Sequence, residues 1–264
     1  MRNQRTTSDY SANKSLGQHF LSDLRVTQKI IHTFYESTHD KILEIGPGKG
    51  VLTADLFQRS GRSVVVCDID SRSVALLREL YPDFVSQIIL SDILKLDFNQ
   101  HFQNHQVSVI GNFPYNISTE IVFKLLGERK SVPYILGMFQ KEVAKRFAAR
   151  HDNKEYGITT VLLQAYYDVV YLFDVPPGCF NPPPKVMSGV LEIKRKSLEP
   201  LILNESLFVR MVKAGFNMRR KTLRNALASL TLPLNESHKQ LLSMRAEQLS
   251  VSDWINFANE MSRP

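Results

Sequence analysis

The chain has 264 residues, 43% of them hydrophobic, and a formal net charge of +7 from 33 basic and 26 acidic side chains. This length and apolar content support one large domain, or a domain with an appendage, without recourse to disulfides or disorder. Cys67 and Cys179 form no CxxC pair and give no metal-ligand spacing, so the composition excludes a disulfide scaffold and predicts free thiols and no bound metal.

The N-terminus, Met1 to Asn13, is polar, lacks an apolar signal core and reads as a flexible arm. No stretch approaches the roughly 20 apolar residues that span a bilayer. The expectation is a soluble cytoplasmic protein with no membrane contact.

Short apolar runs then alternate with helical patterns. Lys41–Ile45, Ser63–Cys67, Gln87–Leu90 and Val107–Ile110 read as buried parallel strands, with helices over Thr53–Arg59 and Ser71–Leu80. A strand over Tyr134–Phe139 precedes a helix over Lys141–Arg150, and another helix covers Gly157–Tyr166. Asp168–Phe173 and Val186–Ile193 close the sheet as a hairpin pair joined by the proline-rich bend Pro176–Pro184. Strand–helix alternation predicts an α/β fold with a doubly wound, Rossmann-like sheet. After Lys194 the texture becomes helical, with patterns at Leu207–Phe216, Thr222–Ser229 and Ser252–Met261. The expected division is therefore a domain over 1–196 and a small helical domain over 197–264.

Charge follows the same division. From Lys194 onward lie 12 of the basic and 6 of the acidic residues, a balance of +6 against +1 for the rest. Such asymmetry points to an anionic partner, most simply nucleic acid. The segment Arg210–Arg224 holds Arg210, Lys213, Arg219, Arg220, Lys221 and Arg224, with no acidic residue until Glu236. Read as one helix, it sets Lys213, Arg220 and Arg224 on one face, with Phe216, Leu223 and Leu227 turned inward.

Glu44-Ile45-Gly46-Pro47-Gly48-Lys49-Gly50 follows the first of these strands and opens a helix. Glycines there let the backbone approach a ligand closely. Val51 stands where a dinucleotide fingerprint needs its third glycine, and the Gly-Lys-Ser/Thr of a phosphate loop is missing. Asp68 ends the second strand 20 residues after Gly48, the distance at which a carboxylate holds ribose hydroxyls in doubly wound folds. Asp92 ends the third, where it can accept from an adenine amine. Ribose and adenine contacts without a phosphate cradle point to S-adenosylmethionine, and carboxylates suit its sulfonium charge.

Asn112-Phe113-Pro114-Tyr115 follows the fourth strand. The side-chain oxygen of Asn112 and the carbonyl of Pro114 can accept the two hydrogens of an exocyclic amine on a nucleobase, while Tyr115 stacks on the ring. Holding both hydrogens out of the base plane favours a tetrahedral, nucleophilic nitrogen.

These residues resemble the ribosomal RNA adenine N6-dimethyltransferase family, of the KsgA type that acts on small-subunit rRNA. Matches run through nearly the whole chain. Lys14-Ser15-Leu16-Gly17-Gln18-His19-Phe20-Leu21 is similar to the family's N-terminal cofactor motif, with His19 where Asn is frequent. Glu44–Gly50 matches its glycine loop, Asp68 its ribose acid (more often Glu), Asp92 its adenine contact and Asn112–Tyr115 its catalytic motif. Phe180-Asn181-Pro182-Pro183-Pro184-Lys185-Val186 is similar to the late aromatic motif, which implies that Phe180 faces Tyr115 across the target base.

The resemblance implies S-adenosylmethionine held by Gln18, His19, Leu21, Glu44, Gly46, Gly48, Asp68, Asp92 and Asn112. It implies catalysis by Asn112, Pro114, Tyr115 and Phe180, with no metal. The product would be dimethylated N6 at two adjacent adenosines in a hairpin loop near the 3′ end of small-subunit (16S) rRNA. The expected partner is that rRNA in a partly assembled 30S particle, met by a monomer. Gln140–Arg146 and Arg219–Asn225 resemble the small-subunit type, and Arg219, Arg220, Lys221 and Arg224 are the expected RNA contacts. The other readings are an antibiotic-resistance dimethyltransferase of large-subunit rRNA, an RNA-binding assembly factor and a DNA adenine methyltransferase.

Overall fold

The structure is a computed structural model and describes residues 12–13, 17–37 and 40–262. Lys14, Ser15 and Leu16 of the N-terminal motif lie outside the described residues, as does the expected arm apart from Ala12 and Asn13.

A two-residue strand, β1 (Phe20–Leu21), leads into α1 (Leu24–Tyr35). Asp23 starts this helix by accepting the N–H groups of Arg25 and Val26, and Thr27, Ile30, Ile31 and Phe34 form its buried face. The alternating region follows as β2 (Lys41–Ile45), α2 (Thr53–Ser60), β3 (Val64–Asp68), α3 (Ser71–Leu80), β4 (Ile88–Leu90), α4 (Phe98–Phe102) and β5 (Val107–Asn112). It continues as α5 (Ser118–Gly127), β6 (Tyr134–Gln140), α6 (Lys141–Phe147), α7 (Ile158–Gln164), β7 (Tyr167–Val175), β8 (Phe180–Asn181) and β9 (Ser188–Arg195). The strands expected from the apolar runs are present within about two residues of their expected ends. The helix expected to reach Arg150 stops at Phe147. Helices α1 and α5 add to the expected set, and their apolar spacing carries the helical period.

Seven strands form one sheet in the order β4-β3-β2-β5-β6-β9-β7, and β1 pairs with β8 in a separate antiparallel ribbon. Strands β2 to β6 pair in parallel, while β9 runs antiparallel to β6. A parallel strand covered on both faces must be apolar on both, and Ile42, Leu43, Val66, Val109 and Ile110 are at most 1% exposed. The strand order reverses between β2 and β5, which opens a crevice beyond their carboxyl ends. Gly111 lets the two strands run together there. A Cβ on it would lie 2.5 Å from the carbonyl oxygen of Ile45.

The chain divides into two compact units, one of residues 1–144 and 170–195 and the other of 145–169 and 196–264. The second unit contains α7, α8 (Glu205–Asn217), α9 (Leu223–Ala226), α10 (Lys239–Ser243) and α11 (Val251–Glu260). Its core includes Phe208, Phe216, Leu223, Trp254 and Phe257. The expected division at 196 assigns 145–169 to the first domain, but those residues pack with the second unit. The Tyr156 ring meets the edge of Phe216 at 5.8 Å, and the N–H of Asp152 donates to the carbonyl of Glu247 at 2.8 Å. Such long-range pairings leave no mark in local sequence texture.

Among the described residues no helix is long and apolar enough to cross a membrane, and no group of three or more acidic, His or Cys side chains is placed to hold a metal ion.

Candidate active site

The crevice at the strand-order reversal is a cavity of about 270 Å³. Its walls come from the segment 17–21, the loop after β2, the ends of β3 and β4, and the loop after β5. All of these belong to the first unit.

The glycine loop turns with positive φ at Gly46 (66°), Gly48 (57°) and Gly50 (79°). At Gly48 a Cβ would also come within 2.7 Å of the Phe20 ring, so a side chain there would collide with the N-terminal wall. Glu44, one residue before the end of β2, is buried at 1% exposure and accepts the Thr53 hydroxyl at 2.7 Å. Burial raises its pKa to about 8, with the Thr53 hydrogen bond opposing. Glu44 is therefore chiefly a neutral acid at pH 7, able to donate as well as accept.

Asp68 is 8% exposed. Its Oδ1 accepts the N–H of Asp70 at 2.9 Å and its Oδ2 accepts that of Gly48 at 3.4 Å. Burial pushes its carboxyl upward, against those hydrogen bonds. A carboxylate offers about four acceptor positions, so ligand hydroxyls can still be taken. Asp70 is committed elsewhere: it caps α3, pairs with Arg72 at 2.7 Å and accepts from the Gln18 amide at 2.9 Å. Gln18 thus reaches the cavity as a strut between the N-terminal segment and Asp70, and its Oε1 accepts the N–H of Asn13 at 2.8 Å. Asp92 lines the cavity and spends Oδ1 on the N–H of Leu94 at 3.0 Å. Leu21 contributes an apolar wall at 5% exposure.

Opposite these groups stands the Asn112 loop. The side-chain Nδ2 of Asn112 donates to the carbonyl of His19 at 2.8 Å, which fixes the amide's orientation. Its Oδ1 is buried and has no hydrogen-bond partner among the described residues. An orphaned buried acceptor is costly, by about 1–3 kcal/mol, and in a cavity wall it reads as reserved for a ligand donor. The Pro114 carbonyl accepts the N–H of Ile117 at 3.2 Å and keeps a second lone pair. The Tyr115 hydroxyl bonds to the Oγ of Ser188 on β9, and burial raises the phenol's pKa. Ser188 therefore holds the ring in place. Nothing in the local sequence around residue 188 marks that role.

Phe180 is 4% exposed, packs in the apolar core with Leu21, Val175 and Cys179, and is not among the residues that line the cavity. Strand residues alternate between faces, and with Asn181 exposed Phe180 turns into the core. The ring that faces Tyr115 is His19, with centroids 5.6 Å apart and planes inclined by 28°.

The basic segment departs from the expected single helix. Helix α8 ends at Asn217, residues 218–222 turn, and α9 begins at Leu223, so Lys213, Arg220 and Arg224 do not share one helical face. Phe216, Leu223 and Leu227 are buried as expected, and Lys213, Arg220, Lys221 and Arg224 are exposed. Arg219 is engaged within its own unit, donating to Glu247 at 2.7 Å and to the carbonyl of Asn153 at 3.1 Å.

The sequence profile of the family described as ribosomal RNA adenine dimethylase matches residues 10–263. A protein of Cytophaga hutchinsonii named ribosomal RNA small subunit methyltransferase A is 48% identical over 252 residues, 95% of this chain and 97% of that one. Its namesake in Flavobacterium johnsoniae is 46% identical, over 92% of this chain and 93% of its own. Two solved structures share the fold. A dimethyladenosine transferase from Plasmodium falciparum has a TM-score of 0.77 at 24% identity, covering 92% of this chain and 97% of its own. The 23S rRNA methyltransferase ErmE has a TM-score of 0.71 at 22% identity, covering 92% and 100%. With a profile that spans nearly its whole length and close relatives of matching extent, the chain belongs to the ribosomal RNA adenine dimethylase family.

Proposed function

We propose that S-adenosylmethionine binds in the cavity and that Asn112, Pro114 and Tyr115 present the N6 amine of an rRNA adenine to it. Family membership makes the chain an rRNA adenine dimethyltransferase. Action on small-subunit rRNA is supported by relatives of that name at 46–48% identity, whereas the likeness to the 23S enzyme is one of fold.

The residues present fit the cofactor. Asp68 keeps acceptor positions for ribose hydroxyls, Asp92 stands one strand over for the adenine amine, and the glycine loop leaves room where side chains would intrude. When bound, the cofactor supplies a methyl group already activated on a sulfonium. The protein's contribution is then chiefly orientation. Asn112 Oδ1 and the Pro114 carbonyl each accept one amine hydrogen, and Tyr115, fixed by Ser188, offers its face to the base. The orphaned Oδ1 of Asn112 is the observation that carries this reading: it is an acceptor held in place with no donor to it among the described residues.

The target adenine must leave its stack, at a cost of a few kcal/mol, which favours loops over duplex. The proposed substrate is a pair of adjacent adenosines in a hairpin loop near the 3′ end of 16S rRNA, inside a partly assembled 30S particle in the cytoplasm. A single copy of the chain acts on it, and Arg220, Lys221 and Arg224 engage phosphates. Digested rRNA from cells lacking the protein should lack N6,N6-dimethyladenosine at those positions by mass spectrometry. Loss from 23S rRNA instead would favour the large-subunit reading, and unchanged rRNA would favour an assembly factor.

A further inference from the structure

We propose that His19 is a positioning residue for methyl transfer, joining the N-terminal segment, the Asn112 loop and the proline run at 182–184 into one support for the target base. The inference rests on the proposed function and adds a role for the imidazole at the RNA side of the cavity.

Three contacts converge on this residue. Its backbone carbonyl accepts the Asn112 amide at 2.8 Å. Its ring lies against Tyr115 at 5.6 Å between centroids, near enough to parallel to count as offset stacking. Its Nδ1 lies 2.9 Å from the carbonyl oxygen of Pro182.

The ribbon of β1 and β8 explains the third contact. Phe20 pairs with Asn181 and Leu21 with Phe180, so His19 falls opposite Pro182 in the continued register. Proline has no N–H to contribute to a ladder, but its carbonyl can still accept. Here the imidazole supplies the donor. A carbonyl only accepts, so Nδ1 must carry the hydrogen, and the neutral ring holds its lone pair at Nε2. A side chain lacking either a ring or a donor could not make both contacts.

The consequence concerns the second methylation. Dimethylation requires a monomethylated amine to be seated again with one hydrogen fewer for Asn112 and Pro114 to accept. The grip on the second round therefore leans more on ring contacts, and Tyr115 is braced by His19 on one side and Ser188 at its hydroxyl. Loosening the His19 brace should raise the fraction of product released after one transfer.

The test compares the wild type with His19→Ala, His19→Phe and His19→Asn on 30S particles from cells lacking this modification, alongside binding of S-adenosylmethionine by calorimetry. All three variants keep the backbone carbonyl that anchors Asn112. His19→Ala should raise KM for the particle about tenfold, the size expected of one aromatic pair with one hydrogen bond. N6-monomethyladenosine should accumulate even at saturating S-adenosylmethionine, so that a change in cofactor affinity does not account for it. His19→Phe, which keeps the ring, should recover most of the missing dimethylation, and His19→Asn should recover less.

Nitrogen-15 imidazole NMR at pH 8, read without substrate, should show His19 protonated at Nδ1. Wild-type protein that methylates particles while all three variants give unchanged KM and product ratio would overturn the proposal. So would a His19 protonated at Nε2, whatever the activity. Inactivity of the wild type on every rRNA would count against the proposed function, and the NMR result would still decide the His19 contact. A melting temperature lowered in His19→Ala but not in His19→Phe, with the product ratio restored in the latter, supports the ring contact.

Discussion

Glu44, buried to 1% exposure at the cavity wall, accepts the hydroxyl of Thr53 at 2.7 Å, and its burial ties stability to pH. Burial keeps Glu44 protonated up to about 8, whereas the unfolded chain loses that proton near 4.5. Across that window the native state binds a proton that the unfolded state has released, so stability falls as pH rises from about 4.5 to about 8. Glu44→Gln removes the titration. Its melting temperature should gain on that of the wild type steadily from pH 5 to pH 8 and hold the difference above that. Parallel melting curves across the range would contradict the raised pKa.

Asn112→Ala should lower methyl transfer by about 10²–10³, the usual loss when one well-placed polar group that stabilises a transition state is removed. The affinity for S-adenosylmethionine should fall much less, because Oδ1 serves the target amine. Single-turnover rates beside calorimetry separate the two effects. Near-normal turnover would remove Asn112 from the proposed chemistry.

Asp68→Ala should weaken S-adenosylmethionine binding by about tenfold to a hundredfold, the worth of roughly 1.5–3 kcal/mol for a charged hydrogen bond. Some thermal stability should go with it, since Asp68 also accepts the backbone N–H groups of Asp70 and Gly48. Asp70→Ala should lower the melting temperature by removing the α3 cap and the Arg72 pair, and weaken the cofactor less. Titration of both variants distinguishes them, and an unchanged dissociation constant for Asp68→Ala would place the ribose contact elsewhere.

Charge reversal at Arg220 and Lys221 should weaken binding to 30S particles and flatten its salt dependence, by slightly under one unit of slope for each phosphate no longer neutralised. Cofactor affinity should be unaffected. Arg219→Ala should behave differently. Its guanidinium is held by Glu247 and the carbonyl of Asn153, so the change should register mainly as a small drop in melting temperature, a half-exposed ion pair being worth about 1 kcal/mol or less. Filter binding over a salt series checks both, and an unchanged slope in the double reversal would remove this segment from the docking surface.

The alternating sheet is legible in local composition, because buried parallel strands must be apolar on both faces, and runs such as Lys41–Ile45 and Val107–Ile110 show that directly. The local chemistry is legible too: glycines before α2, acids at the end of β3 and two residues after β4, and Asn112-Phe113-Pro114-Tyr115 at the end of β5. These features are short-range, set by spacing along one strand or turn.

Other features depend on distant partners and come from the folded chain. It turned Phe180 into the core through the pairing of β8 with β1, and set His19 against Tyr115 from the far end of the first unit's chain. It brought Ser188 to the Tyr115 hydroxyl, and residues 145–169 to the helical unit through Tyr156 and Asp152. It broke the basic segment at 218–222 and tied Arg219 to Glu247. Each of these outcomes rests on a ring or a hydrogen bond supplied from elsewhere in the chain, and local periodicity holds no information about which distant residue will supply it.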